Sequence, residues 1–367
     1  MRAAVLNEVK APLEIEEIPT PAPKRGEVLV RVAACGVCHT DLHVIKGEVK
    51  FPTPAVLGHE ISGTVVALGP GVTTVNEGTP VVCSFIMPCG ACDFCAQGRD
   101  DLCATFFAMN RLRGQLYDGT SRLARADGTP LAMYSMGGLA DYAVVPNTDV
   151  FALPDGLPLE ESCIIGCALM TAYGAVRHQA DLRTGETVAV VATGGVGSNI
   201  IQMASAFGAS MIVAVDVAAD KLDAARRLGA THTVDGSKED VAAAIMEHTK
   251  GRGVDVAFEA LGRPETVVQA FGAARDGGRV VVVGIAPGDT TAPIEITRLV
   301  RRGVRLIGSY GARVRTDIPA VLNMAQRGTI APQRTVSRRF ELEDVAQAYD
   351  MLNRGEIVGR AIAVTAP

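Results

Sequence analysis

The chain has 367 residues, 48% of them apolar, and 35 Lys and Arg against 40 Asp and Glu give a formal net charge of −5. That length and apolar content predict about two domains with separate cores and exclude a disordered chain. No run of Lys or Arg marks a nucleic-acid surface, and the longest apolar stretches, such as Val188 to Ala192 and Val280 to Val283, fall far short of the roughly 20 residues of a membrane span.

Met1 to Leu6 run straight into strand-like sequence, without the basic region, apolar core and cleavage site of a secretory leader. A soluble cytoplasmic protein with reduced cysteines is the expectation. Up to about residue 155 the pattern is one of short strands broken by Pro and Gly, for example Glu27 to Ala33, Ile61 to Leu68 and Gly138 to Val145, which predicts a β-rich, barrel-like domain. Two segments here join metal-ligand residue types to polar neighbours: Gly36-Val37-Cys38-His39-Thr40-Asp41-Leu42-His43 and Gly58-His59-Glu60. Taken alone they are bland, because a single buried Cys is usually a small core residue and a single His before Glu a satisfied polar group.

Cys89, Cys92, Cys95 and Cys103 form C-x2-C-x2-C-x7-C, the most specific local signal in the chain. Four soft thiolates in one short loop suit a closed tetrahedral zinc site, which stabilises a lobe at about 86–104 and keeps no open position for a substrate. Two disulfides are the alternative; adjacent C-x2-C pairs bridge poorly, and the chain lacks the signal of an oxidising compartment. A zinc ribbon on nucleic acid would bring a basic patch, and none is present. The segment from Ala104 to Gly138 is long, polar and rich in Gly. Beyond it, Cys163-Ile164-Ile165-Gly166-Cys167 places two sulfurs on one face if the segment is helical, so spacing alone does not choose between them.

From about residue 166 to 305 the pattern alternates between apolar strands and Ala-rich helices: Thr187 to Val191, Gly197 to Phe207, Met211 to Asp216, Lys221 to Leu228, then Val254 to Glu259 and Arg279 to Gly284. Alternation of this kind predicts a parallel, doubly wound sheet. The turn Ala192-Thr193-Gly194-Gly195-Val196-Gly197 lies between a strand and a helix, and Asp216 follows Gly197 by 19 residues at a strand end. This is a dinucleotide fingerprint in context, with Ala192 in place of its first glycine. Gly194 lets backbone approach a pyrophosphate, Gly197 allows close helix packing, and Asp216 would accept from ribose hydroxyls and repel a 2′-phosphate, which favours NAD over NADP. Lys221 is near enough in sequence to assist. The last stretch returns to mixed sequence, with a helix over Leu342 to Leu352 and a strand over Ala361 to Val364, so the nucleotide unit reads as inserted into the first domain.

Together these motifs, with the Gly166-Cys167-x-x-x-Thr171-x-Tyr173-Gly174 stretch, make the chain resemble the zinc-dependent medium-chain alcohol dehydrogenases over essentially its full length. The resemblance implies a β-rich GroES-like catalytic domain at 1–165 and 311–367 and a Rossmann cofactor domain at 166–310. It implies catalytic zinc ligands Cys38, His59 and Cys167, with Cys163 as the runner-up to Cys167, and structural ligands Cys89, Cys92, Cys95 and Cys103, hence two zinc ions per chain. A zinc-bound alcohol would pass hydride to NAD and its proton through Thr40 and the nicotinamide ribose to His43. Asp41 would orient a ligand imidazole and Glu60 assist ligand exchange. His39 and Arg360 would meet the cofactor pyrophosphate beside Gly194, Gly195, Val196, Gly197, Asp216 and Lys221. Phe85 and Tyr310 would line a pocket for an apolar or aromatic, primary alcohol, bordered by the 104–138 loop. A thiol-adduct formaldehyde dehydrogenase and a dehydrogenase of a larger cyclic or acyl-carrier-linked alcohol share these parts, and a non-catalytic zinc- and NAD-binding protein is the reading of another class. The expected partners are a small alcohol or aldehyde and further copies of the chain in a homodimer or homotetramer, with no nucleic acid or membrane.

Overall fold

Two short antiparallel strands, β1 (Arg2–Leu6) and β2 (Leu13–Glu17), open the chain in the computed structural model, which describes residues 1–365. The next strand, β3 (Glu27–Val37), is the longest of the first unit, and its Val residues and Ala34 are buried, as are Leu29 and Cys35. Such a strand belongs in the interior of a sheet that is covered on both faces. It pairs antiparallel with β4 (Ile61–Leu68) and with β6 (Tyr142–Pro146), while β5 (Pro80–Cys83) and β7 (Val150–Ala152) extend the sheet beyond β4. A seven-residue helix, α1 (His39–Ile45), leaves the end of β3. Pairing with β3 begins only at Tyr142, later than the strand expected from Gly138. Gly137 adopts φ +65° and the Gly138 N–H donates to the Gly58 carbonyl, so this glycine pair closes a loop instead of joining the ladder.

The second unit, Thr171–Ala312, contains β8 (Thr187–Val191), α2 (Gly195–Ala206), β9 (Met211–Asp216), α3 (Ala219–Arg227), β10 (His232–Asp235), β11 (Val254–Glu259), β12 (Ala274–Val282), α4 (Ile296–Arg301) and β13 (Arg305–Gly308). All six strands are parallel, in the order β10-β9-β8-β11-β12-β13. The runs Val188 to Val191, Ile212 to Val215 and Val254 to Phe258 are buried because both faces of a parallel sheet are covered. On one face Val213, Val215 and Val280 pack with Ile245 and Phe271; each such side chain contributes roughly 1.5–3 kcal/mol on burial. The strand order reverses between β8 and β11, the switch point at which sheets of this type bind ligands beyond their strand ends.

The chain from Arg313 onward belongs with Met1–Met170 in the first unit. It adds α5 (Val314–Gln326), β14 (Val336–Glu341), α6 (Val345–Asn353) and β15 (Arg360–Val364). The expected helix from Leu342 begins as a 3-10 turn before α6 proper. Antiparallel pairing of β15 with β3 completes a seven-stranded sheet, ordered β7-β5-β4-β3-β15-β14 with β6 also on β3. Among the described residues no helix is long and apolar enough to cross a membrane.

Candidate functional site

Three glycines shape the first site. A side chain at Gly36 would strike the Glu60 carboxyl at 2.5 Å; Gly58 turns at φ +92°, where a side chain would meet the Leu139 N–H at 2.6 Å; and one at Gly166 would lie 2.0 Å from the Cys83 carbonyl oxygen. These close approaches bring Cys38, at the end of β3, against His59 and Glu60 and against Cys167. The 161–166 segment is a 3-10 helix, and the backbone leaves helical geometry at Cys167 (φ −139°, ψ −70°). Cys163 and Cys167 therefore do not share a helical face. Cys167 joins Cys38, His59 and Glu60 in a buried group whose ligand atoms all lie within 4.8 Å of one another, and Cys163 is buried outside it.

The His59 Nδ1–H donates to Asp41 Oδ1 at 3.0 Å, and Nε2 is buried with no hydrogen-bond partner. A buried ring nitrogen of that kind, facing two thiols, fits a metal ligand, since Cys2His is a set that suits zinc. Donation from Cys167 holds Cys38 well below the ordinary thiol range, and the same bond with burial pushes Cys167 up. Burial works against the His59 imidazolium, but the charges of Asp41 and Cys38 outweigh it and bring the group up to about 10. Burial also raises Glu60 to about 8, against the opposing pull of Arg360. Metal ligands are commonly sites of such accumulated, uncompensated charge.

Asp41 is completely buried. Its Oδ1 also accepts from the Gly58 N–H at 3.1 Å, and its Oδ2 accepts from the Tyr349 hydroxyl of α6 at 3.0 Å. The Thr40 hydroxyl lies 3.5 Å from Cys38 Sγ, and His43 Nδ1 meets Glu48 Oε2 at 2.5 Å. His39 is exposed at the start of α1. Arg360, placed on a phosphate by the resemblance, is almost wholly buried at the start of β15: its guanidinium pairs with Glu60 at 2.8 Å and reaches Cys167 Sγ at 3.8 Å. The register of β15 against β3, with Ala361 opposite Val37, turns the neighbouring side chain inward toward the two sulfurs. Sequence reasoning missed Tyr349 and Glu48, and residue type alone carries no signal for either.

Phe85 and Tyr134 flank the His59 ring edge-on, with centroids 6.0 and 5.8 Å away. The 104–138 segment contains a six-residue π-helix, Phe106–Arg111, which lays the Arg111 guanidinium over Tyr134 at 4.1 Å and beside Phe106 and Phe85 at 5.1 and 5.6 Å. Neither Tyr134 nor Arg111 belongs to a local motif. Tyr310 lies in the second unit, after β13.

The other cluster is Cys89, Cys92, Cys95 and Cys103, again with all ligand atoms within 4.8 Å. All nine cysteines are free of disulfides. Backbone N–H groups of Cys92 and Phe106 each point at a sulfur at 3.4 Å, the environment thiolates require. Desolvation opposes the Cys92 thiolate, yet N–H groups of Cys95 and Ala104 bring it down to about 6. Arg315, in α5, donates to Asp100 and to the Cys95 carbonyl, tying the lobe to the rest of its unit.

In the second unit, Gly194 and Gly195 open α2 at the carboxyl end of β8, and a side chain at Gly194 would meet nothing within 4 Å. At Gly197 it would sit 1.9 Å from the Ala192 carbonyl oxygen. Ala192 itself holds φ +71°, a left-handed conformation in which glycine is usual. An open cradle of backbone N–H groups at the start of a twelve-residue helix fits a phosphate group. Asp216 ends β9, its Oδ2 accepting from the Thr193 N–H and hydroxyl and its Oδ1 from the Val217 and Ala218 N–H groups. Lys221 is half-buried in α3.

Residues 24–155 match the family described as alcohol dehydrogenase GroES-like domain, and residues 195–327 that described as zinc-binding dehydrogenase. The chain is 36% identical over 362 residues to an NDMA-dependent alcohol dehydrogenase of Amycolatopsis methanolica, covering 97% of this chain and 96% of that one. It is 33% identical over 370 residues to the S-(hydroxymethyl)glutathione dehydrogenase of Paracoccus denitrificans, covering 97% and 98%. The crystal structure of benzyl alcohol dehydrogenase from Acinetobacter calcoaceticus superposes with a TM-score of 0.93 at 31% identity, covering 100% of this chain and 99% of that one. With two ligand sets suited to zinc, a β-rich unit and a doubly wound parallel sheet, the chain belongs to the zinc-dependent medium-chain alcohol dehydrogenases, a family of oxidoreductases.

Proposed function

We propose that this chain oxidises a primary alcohol of apolar or aromatic character, reversibly and with NAD, holding one zinc at Cys38, His59 and Cys167 and a second at Cys89, Cys92, Cys95 and Cys103. The observation that carries the reading is the buried Cys38–His59–Cys167 group, with His59 Nε2 left for a metal by the Asp41 hydrogen bond on Nδ1. When bound there, zinc supplies the charge that acidifies an alcohol hydroxyl, and NAD supplies the hydride acceptor.

The remaining work falls to the chain's own residues. Asp41 fixes the tautomer and direction of His59. Arg360 keeps the Glu60 carboxyl paired beside the ligands, from where Glu60 would assist their exchange. Thr40, close to Cys38, takes the proton leaving the hydroxyl and His43 takes it onward. Phe85 and Tyr134 offer the substrate aromatic edges beside His59. Gly194 to Gly197 and the start of α2 bind the pyrophosphate, with His39 as a further phosphate contact, while Asp216, with Lys221 nearby, selects an unphosphorylated ribose. Support for association of two or more copies comes from the second unit: β13 is an open sheet edge, and Ile296, Val300 and Leu306 beside it are 74%, 72% and 40% exposed. Nine cysteines without a disulfide favour the cytoplasm.

A second reading, oxidation of a thiol adduct of formaldehyde, is favoured by Arg111, whose guanidinium against Phe85 and Tyr134 would meet a carboxylate-bearing substrate with opposite charge. The test is nicotinamide reduction by purified protein across primary, secondary, aromatic, cyclic and thiol-adduct alcohols, with NAD and NADP in parallel. It is run with and without NDMA, on which the Amycolatopsis methanolica relative depends by its name. Turnover of aromatic alcohols with NAD is expected; preference for the thiol adduct selects the second reading. No turnover by protein carrying both metals refutes the proposal.

A further inference from the structure

α1 ends at Ile45, and the chain reverses immediately through Lys46, Gly47 and Glu48. Gly47 adopts φ +73°, and a side chain there would meet Val9 Cγ1 at 2.5 Å. The glycine therefore permits both the left-handed turn and the close approach of β1's trailing loop. The reversed chain folds back on the helix: the N–H groups of Glu48 and Val49 both donate to the His43 carbonyl, at 2.8 and 3.1 Å. This backbone return delivers the Glu48 carboxylate to the His43 ring, with Oε2 at 2.5 Å from Nδ1 and Oε1 at 3.2 Å from Lys46 Nζ. His43 is 19% and Glu48 27% exposed, so the pair is partly shielded from water. Glu48 also borders a cavity of about 510 Å³, whose other charged lining residues are Lys10, Lys46 and Asp350.

A carboxylate can only accept, so the ring nitrogen facing it must carry the hydrogen. The His43 bond, against the opposing effect of burial and with help from Lys46, holds Glu48 below the ordinary carboxylate range, so it stays charged at neutral pH. A neutral imidazole has one N–H and one lone pair. With Nδ1–H committed to Glu48, the lone pair stands on Nε2, and Nε2 becomes the nitrogen able to accept a proton.

We infer that Glu48 is a positioning residue of the proton relay: it fixes His43 as the Nδ1–H tautomer, presents Nε2 as the acceptor, and balances the charge of the imidazolium that forms. This rests on the alcohol-oxidising reading above. The proton released from the alcohol arrives on Nε2, Glu48 offsets the new positive charge while both ring nitrogens are protonated, and loss of the proton to water restores the ring. No electron moves in this step.

The test uses the full-length, zinc-loaded protein labelled with ¹⁵N-histidine, the His43 signals being identified by their loss in His43→Gln. Long-range proton–nitrogen correlation reports which ring nitrogen carries hydrogen. Wild-type protein is expected to show Nδ1–H, and Glu48→Ala to shift His43 mainly to Nε2–H, the tautomer an unconstrained ring prefers. Glu48→Gln keeps an acceptor of the same shape and loses the charge. Its alcohol oxidation in a single turnover should fall about tenfold, with zinc content and NAD affinity unchanged, and recover when imidazole is added as an external base. A role confined to packing would give neither the tautomer change nor the rescue. Nδ1 without hydrogen in the wild type, or Glu48→Ala that leaves ring and rate unaltered while wild-type turnover is normal, would overturn the assignment of Glu48. Absence of alcohol turnover in the wild type would refute the enzymatic reading on which it rests.

Discussion

Substituting Tyr349→Phe probes the support beneath the His59 ligand while keeping the ring of Tyr349 in place. Val345, Ala348, Tyr349 and Leu352 form the buried face of α6, so the aromatic packing survives and only the hydroxyl is lost. Asp41 then retains the Gly58 and His59 donors on Oδ1, but its Oδ2 loses the Tyr349 donor at zero exposure. A buried acceptor stripped of its partner costs about 1–3 kcal/mol; because half of the carboxylate remains well bonded, the lower part, about 1–2 kcal/mol, applies. A metal on Nε2 polarises the Nδ1–H toward Asp41, so the metal-loaded state depends most on this carboxylate. We expect the zinc affinity of the Cys38–His59–Cys167 set to fall by about tenfold, the scale seen when outer partners of metal ligands are removed. Competition against a chromogenic chelator should resolve one weakened and one unchanged zinc per chain, alongside a small fall in the urea midpoint. Zinc affinity within twofold of wild type and an unchanged midpoint would show that the Tyr349–Asp41 bond does not support the ligand.

Three further outcomes are expected. Cys103→Ser should remove about half of the bound zinc and lower the thermal midpoint, because the four-cysteine lobe also carries the Arg315–Asp100 tie; metal analysis and calorimetry check this, and unchanged values would exclude a metal in the lobe. Gly197→Ala puts a methyl group 1.9 Å from a backbone oxygen that cannot swing away, so NAD affinity by isothermal titration should drop by about tenfold or more, equivalent to about 1.4 kcal/mol, with zinc content retained. Asp149 is wholly buried, and burial raises it well above the ordinary carboxylate range, while Oδ1 accepts from the Ser84 N–H and Oδ2 has no partner. For an acid raised on folding, the folded state holds more protons than the unfolded state above the ordinary aspartate range, so stability falls as pH rises through that window toward the folded value. Asp149→Asn should remove this loss, up to about 1.4 kcal/mol per pH unit, and urea midpoints from pH 4 to 7 that run parallel for both proteins would contradict it.

The alcohol dehydrogenase family, the β-rich first unit and the doubly wound second unit were legible because their signals are local. Four cysteines spaced for one loop, a glycine turn opening a helix, and strands that alternate with helices each follow from backbone geometry over a few residues. Where glycines cluster, that local reading overran: Gly138 looks like the start of a strand, yet with Gly137 it closes a loop against Gly58. Arg360 illustrates another limit, since its residue type suits a phosphate as well as a buried carboxylate, and only strand pairing sets which it meets.

What the sequence by itself determined, then, was chemistry available within short stretches: thiolates for a metal, backbone N–H groups for a phosphate, an acid at a strand end. The tertiary structure decided which distant residues share a site. Cys163 and Cys167 are equivalent by spacing until the 3-10 segment breaks at Cys167 and the close approach of Gly166 to Cys83 brings the second sulfur to Cys38 and His59. Asp41 finds Tyr349 only because α6 packs near α1, and Glu48 finds His43 only because Gly47 can turn beneath Val9. Hydrogen bonds and metal ligation require atoms within about 3–4 Å, a condition that packing sets and residue type does not.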